Sequence, residues 1–138
     1  MTFAHRAALL LLFAATAGCA TQPASPETRI CPVRDAGGWR AWVDRMPGPD
    51  RPKLWVAGNV SAPTGGYRVW LELGPVLEIH PPIQQVLVRV EAPDGPATQA
   101  VVTHEVRGSF EAMPEYGAVT VRCGSEVLAE IRPVGQAH

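Results

Sequence analysis

Apolar residues recur at every second position in a series of segments that begins at Lys53 and ends at Val134. Such alternation is typical of β-strands that bury one face against a core. Clusters rich in proline and glycine separate the segments, and these clusters favour turns. The pattern therefore predicts strands in these segments: residues 53–60, 67–73, 84–92, 98–110, 117–123 and 126–134.

Short strands joined by turns, with no helices between them, favour two packed sheets. The chain has 138 residues, of which 13 are glycine and 14 are proline, and 46% of its residues are apolar. This apolar content is enough for one compact core and too high for a disordered chain. We therefore expect an all-β domain, an antiparallel immunoglobulin-like sandwich of about six or seven strands. A partly open barrel is the alternative.

One segment ahead of these strands has a different period. Trp39, Trp42, Val43 and Met46 are spaced like residues on one face of a helix. The proline and glycine that follow would end such a helix. The spacing predicts a short N-terminal helix over residues 37–46, whose tryptophan and methionine stripe packs on the core.

The N-terminus has the features of an export signal. Arg6 precedes an apolar run over residues 7–17 that is too short to span a membrane. The stretch from Thr16 to Cys19 reads Thr-Ala-Gly-Cys and resembles the lipobox of bacterial lipoprotein signals, with threonine in place of the usual leucine. The resemblance implies that residues 1–18 are removed and that Cys19 carries acyl chains such as palmitate.

The resemblance also implies a location. Lipoproteins retained in the inner membrane usually have aspartate after the acylated cysteine, whereas this chain has Ala20. We therefore expect a lipid anchor in the outer membrane, on its periplasmic face. Residues 19–30 form the lipidated tether, which is predicted to be flexible because it contains prolines and almost no large apolar residue. The folded domain is expected over residues 31–138.

Two cysteines remain once Cys19 is acylated. Cys31 opens the domain and Cys123 lies near its end. An even pair of thiols in an exported chain favours a disulfide, because the compartment is oxidising. No Cys-x-x-Cys pattern points to redox or metal chemistry. The sequence therefore predicts a structural Cys31–Cys123 bridge that closes the domain.

The domain sequence contains no recognisable catalytic pattern. It lacks a Gly-x-Ser-x-Gly elbow, and the glycines at 65 and 66 are not followed by the lysine of a phosphate loop. His80, His104 and His138 do not have metal-ligand spacing. The formal net charge of −1 gives no electrostatic signal for nucleic acid. We expect a protein that is not an enzyme, with no metal, no cofactor, no nucleic-acid partner and no small-molecule substrate.

Two tryptophans stand out as candidate contact residues. In their segments Trp55 and Trp70 alternate with apolar neighbours and therefore point outward. If the segments form a hairpin in which residue 60 is opposite residue 67, the two rings come within reach of each other. The alternative is that the N-terminal helix covers this face. The predicted partner-binding residues are Trp55 and Trp70 with the turn residues Pro63, Thr64, Gly65 and Gly66.

The turn also carries a second resemblance. Residues 62–67 read Ala-Pro-Thr-Gly-Gly-Tyr, with Trp70 just beyond, and resemble one loop of the chagasin-like cysteine-protease inhibitors, which reads Asn-Pro-Thr-Thr-Gly-Tyr. Those inhibitors are small immunoglobulin-like domains. Ala62 and Gly65 depart from the pattern, and the Arg-Pro-Trp loop of the family has no counterpart, because Val134 follows the Arg-Pro pair near the C-terminus.

These observations give two expectations for function. The first is an outer-membrane lipoprotein whose periplasmic domain is a non-catalytic binding or envelope-interaction module, with an envelope protein as a possible partner. The second, implied by the loop resemblance, is inhibition of cysteine proteases.

Overall fold

A computed structural model of the chain describes residues 30–48 and 51–138. The predicted signal peptide, Cys19 and the tether up to residue 29 lie outside the described residues. The described part is all β, and none of it forms a helix that is long and apolar enough to cross a bilayer. Its strands are β1 (Asp35–Asp44), β2 (Lys53–Ala62), β3 (Arg68–Leu77), β4 (Ile83–Glu91), β5 (Val102–Glu111), β6 (Ala118–Cys123), β7 (Glu126–Ile131) and β8 (Gly135–Ala137).

The strands form two four-stranded sheets in a sandwich-like arrangement. Sheet A has the order β5-β2-β1-β8, and sheet B has the order β3-β4-β6-β7. The all-β prediction is confirmed, and the predicted segments correspond to β2 through β7. The sheets are mixed rather than purely antiparallel, because β1 pairs with β8 and β4 pairs with β6 in parallel.

The core lies between the two sheets and is built from the alternating apolar residues. Each strand places every second side chain inward, where it is shielded from water by the opposite sheet. Burying a valine or leucine side chain in this way stabilises the fold by about 1.5–3 kcal/mol. The largest side chains with essentially no exposure are Val43, Leu54, Val56, Val60, Val86, Val119 and Val121.

The predicted helix over residues 37–46 is wrong, since this segment lies within and just beyond strand β1. Ala41 and Val43 are buried, and Trp39 packs against the same core. These residues are two positions apart, which is the spacing of side chains on one face of a strand. A bulge interrupts the pairing between Gly37 and Arg40, and Gly38 lies within it with φ 64°. A positive φ suits glycine in such a bulge. The apolar spacing resembled that of a helix because it included Trp42, which lies on the opposite face of the strand from Trp39 and Val43.

The hairpin considered for residues 53–60 and 67–73 does not form. Strand β2 belongs to sheet A, whereas β3 belongs to sheet B. The connection through residues 63–67 therefore crosses from one sheet to the other. Its length is compatible with either arrangement, so the sequence alone did not distinguish them.

The predicted disulfide is confirmed. Cys31 and Cys123 are bonded, with their Cα atoms 5.3 Å apart. Cys31 precedes the first strand of sheet A, and Cys123 ends β6 in sheet B. The bridge therefore joins the two sheets covalently at one end of the sandwich.

Candidate functional site

The outer surface of sheet A carries a pair of tryptophans from neighbouring strands. Trp42 of β1 lies directly opposite Trp55 of β2 in the antiparallel register. Their ring centroids are 6.3 Å apart, and the ring planes are within 12° of parallel. Both side chains are half-buried although they lie on the outer surface. Aromatic pairs of this kind stabilise a sheet beyond the area they bury.

One arginine lies over both rings. The guanidinium carbon of Arg107, on β5, is 4.3 Å from the Trp55 ring centroid and 5.4 Å from that of Trp42. The guanidinium carbon of Arg40 lies 6.0 Å from the Trp42 centroid. Tryptophan attracts a cation to its face through its electron-rich π-system. The four side chains Arg40, Trp42, Trp55 and Arg107 thus form one cluster, which we call the tryptophan face.

Strand register explains how this cluster is built. Ala57 of β2 lies opposite Arg40 on one side and Arg107 on the other. The residue between the two arginines is therefore small, and its side chain is buried beneath its neighbours. Within the described residues, neither arginine forms an ion pair with a carboxylate or donates a hydrogen bond.

This arrangement leaves hydrogen-bond donors available on the tryptophan face. A guanidinium stacked on an aromatic ring uses its flat face, whereas its N–H groups point outward in its own plane. Those in-plane donors match the two oxygens of a carboxylate or phosphate. The face therefore combines apolar rings with cationic donors that no acid among the described residues neutralises.

A pocket of about 250 Å³ adjoins the face at Trp55. Its polar lining includes Asp44 and Lys53, which face each other across β1 and β2. Arg51 also lines it, but this side chain is paired with Glu111 at 2.8 Å. The pocket thus offers an aromatic ring beside both acidic and basic groups.

Trp70 lies on the other sheet. It is 44% exposed and lies opposite Arg89 on the surface of sheet B. Arg89 donates to both carboxylate oxygens of Glu72, at 2.8 and 3.2 Å. These hydrogen bonds raise the pKa of Arg89 above its ordinary value. The expected patch that joins Trp55 to Trp70 is therefore wrong, because the two rings belong to different sheets.

The predicted turn over residues 63–66 lies at the end of the sandwich. The Gly65 N–H donates to the carbonyl of Thr98 at 2.9 Å. Gly66 has φ 85°, and a Cβ atom there would lie 3.1 Å from Pro93. The turn is thus held by the β4–β5 connection, and its second glycine is required by the backbone. Trp55 is near the start of β2 and the turn follows its end, so they are separated by roughly 25 Å along the strand.

Other titratable groups are scattered. His80 lies 3.3 Å from Glu115 beside an open cavity of about 620 Å³, and both side chains are largely exposed. His104 is partly buried whereas Glu105 is exposed on the other side of β5, as the alternation predicted. Within the part of the chain that the structure describes, no cluster of three histidine, cysteine or acidic residues could hold a metal ion.

Three of the four residues of the tryptophan face were not predicted as contact residues from the sequence. Trp42 was assigned to a helical stripe, and Arg40 and Arg107 were not singled out. The segment before β2 contained sequence features that favour a strand over a helix. Gly37 and Gly38 weaken a helix, and reading residues 39–43 as a strand would have turned Trp42 outward. The proximity of Arg107 depends on the β2–β5 pairing and had no local signal.

Comparisons with known proteins give no relative for this chain. It matches no family model, and neither a curated protein nor a solved structure is significantly similar to it.

Proposed function

We propose that the chain is a lipid-anchored envelope protein whose sandwich-like domain is a non-catalytic binding module, with the tryptophan face as its recognition surface. The observation that carries this proposal is the stacked pair Trp42–Trp55 beneath an arginine that has no acidic partner among the described residues. Tryptophan and arginine are the residues most enriched where binding energy concentrates.

The scaffold beneath the face supports this role. Trp55 lies on β2, which is paired along its length with β1 and β5. A ladder on both sides fixes the position of the strand, so the rings need little ordering when a ligand binds. Recognition groups on a rigid sheet are held more precisely than groups on a loop.

The anchor in this proposal is Cys19, and Ala20 favours the outer membrane by resemblance to other lipoproteins. Ile30, the first described residue, is 89% exposed and adjoins the Cys31–Cys123 bridge. The tether would therefore join the domain at a covalently fixed point. The predicted tether of about ten residues would place this end of the sandwich at an average distance of roughly 18 Å from the membrane.

The anchor is tested by a Cys19→Ser substitution in cells. We expect the wild-type chain to sediment with membranes in high salt and the variant to leave that fraction. Mass spectrometry should find acyl chains on Cys19 of the wild type. An unmodified Cys19, or a variant that still sediments with membranes, would contradict lipid anchoring.

The binding face is tested by capture of components from detergent-solubilised envelopes on the purified full chain. Trp55→Ala with Arg107→Gln alters the tryptophan face, and Trp70→Ala with Arg89→Gln makes the matched change on sheet B. We expect the first pair to lose the glycans and proteins that the wild type captures, and the second pair to retain them. Equal capture by both pairs would contradict the proposal.

Protease inhibition by a chagasin-like, immunoglobulin-like domain is the second candidate. The turn at residues 63–66 favours it, because the hydrogen bond to Thr98 presents the turn in one conformation. Arg132 and Pro133 disfavour it, since they follow β7 and lie at the opposite end of the sandwich from the turn. Inhibition of a papain-like protease by the full chain, lost in Thr64→Ala, would support this candidate. No inhibition at micromolar concentration would exclude it.

A further inference from the structure

We infer that the tryptophan face binds a saccharide that carries an oxyanion, either a phosphate or a carboxylate. This inference rests on the proposed function, because it names the ligand chemistry of the same face. It follows from three observations: the two arginines that have no acidic partner within residues 30–48 and 51–138, the small residue between them, and the pocket beside Trp55.

The arginines define the oxyanion part of the site. Arg40 and Arg107 lie within 6.0 and 5.4 Å of the same ring centroid, that of Trp42, and flank Ala57 in one row across the sheet. Two cations beside one ring repel each other, and an anion that contacts both removes this repulsion. An oxyanion that lies beside the Trp42 ring, between the two guanidinium groups, would receive N–H donors from both.

The nearest acids do not fill this role. Glu105 lies on the same side of β5 as Arg107, one row further along the sheet, and Asp44 lies beyond Trp42 on β1. Neither carboxylate comes within ion-pair distance of the two arginines. On sheet B, by contrast, Arg89 is paired with Glu72 through two hydrogen bonds. The tryptophan face therefore presents positive charge to solvent even though the whole chain has a formal net charge of −1.

The pocket at Trp55 defines the sugar part. A sugar ring has an apolar face of C–H groups that packs on an indole, and hydroxyl groups on its rim that need donors and acceptors. The Trp55 ring borders the pocket, and Asp44 and Lys53 supply an acceptor and donors. The guanidinium carbon of Arg107 is 4.3 Å from the centroid of this ring, so one substituted sugar unit reaches from the guanidinium to the pocket.

The test uses the full-length protein in detergent micelles with its tryptophans labelled with ¹⁵N. The probes are glucose 6-phosphate, glucuronate, glucose, inorganic phosphate and phosphatidylglycerol vesicles. We expect the two charged sugars to shift the indole N–H signals of Trp42 and Trp55 while the Trp70 signal stays in place. Glucose and inorganic phosphate should each bind at least tenfold more weakly than the charged sugars.

Variants assign the interaction to the arginines. Arg40→Gln and Arg107→Gln should each weaken glucose 6-phosphate binding at least tenfold. Arg34→Gln removes an exposed positive charge at the other end of β1 and should leave it unchanged. Inorganic phosphate that binds as tightly as glucose 6-phosphate would overturn the sugar part, and a response to phosphatidylglycerol alone would assign the oxyanion to a lipid headgroup.

Failure of the saccharide inference can be distinguished from failure of the proposed function. If glucose binds as well as glucose 6-phosphate, the oxyanion inference fails while the tryptophan face remains a binding surface. If no probe moves the Trp42 and Trp55 signals but envelope capture still depends on Trp55 and Arg107, the saccharide inference fails alone. Loss of that dependence in the capture experiment overturns the proposed function itself.

Discussion

The outer surfaces of the two sheets use the same residue types in opposite ways. On sheet B, Trp70 lies beside arginines that are neutralised, since Arg89 is bonded to Glu72 and Arg68 to Glu91. On sheet A, Arg107 lies over Trp42 and Trp55 and has no carboxylate partner among the described residues. The arginines beside Trp70 are therefore paired with acids, whereas the arginine over Trp42 and Trp55 keeps its donors available.

This difference shows why residue type alone is a poor guide to a binding surface. A surface ion pair such as Arg89–Glu72 contributes little stability, but it consumes the in-plane donors of its arginine. A guanidinium held by aromatic rings is positioned just as well and keeps those donors. The partner of the arginine therefore decides which tryptophan-bearing surface is available for recognition.

The largest expected effect on stability comes from removing the covalent link between the two sheets. Replacing both Cys31 and Cys123 with alanine should lower the free energy of unfolding by about 2–5 kcal/mol, because the bridge closes a long loop in the unfolded chain. The bridge spans 92 residues. Denaturant titration measures the loss, and the circular dichroism of the stacked indoles should persist below the transition. An unchanged midpoint would show that the bridge does not hold the sheets together.

The architecture was predictable only in part. Strands β2 through β7 followed from the alternation of apolar residues in the sequence. Strand β1 did not, because the bulge at Gly38 and the outward Trp42 produced a helical spacing. Strand β8 has three residues, and its parallel pairing with β1 is a tertiary contact without a local pattern.

The two tryptophans predicted as contacts should differ in their effect on stability. Trp55→Ala removes a half-buried ring that stacks on Trp42, so we expect a loss of about 2 kcal/mol. Trp70→Ala removes a largely exposed ring, so we expect a loss of about 0.5 kcal/mol or less. Thermal denaturation of the two variants measures both. Equal losses would break the distinction between the two surfaces.

The smallest expected effects are the stability losses on replacing Arg107 of sheet A or Arg89 of sheet B, and the two losses should differ in their dependence on salt. Arg107→Gln and Arg89→Gln should each cost no more than about 1 kcal/mol, the first from a cation–π contact and the second from a surface ion pair. In 1 M salt the Debye length is about 3 Å, so the cost of Arg89→Gln should vanish. The cost of Arg107→Gln should persist in part, because the guanidinium and its aliphatic stem also pack against the two rings, and this packing does not depend on salt. Equal salt sensitivity would contradict the stacked arrangement.

The candidate site was predictable to a similar extent. The alternation of β2 and β3 correctly turned Trp55 and Trp70 outward, because outward direction is a property of a single strand. Their assignment to one patch was wrong, because the partner of each strand is a property of the whole fold. Trp42 and Arg107 reach Trp55 only through the pairing of β1 and β5 with β2.

We propose that sheet A, and not sheet B, carries the recognition surface. The most direct test follows the indole N–H signals of Trp42, Trp55 and Trp70 while solubilised envelope material is added to the labelled full-length protein. We expect the Trp42 and Trp55 signals to shift or broaden first and the Trp70 signal to stay unchanged. A response at Trp70 that precedes or replaces the response at Trp42 and Trp55 would contradict it.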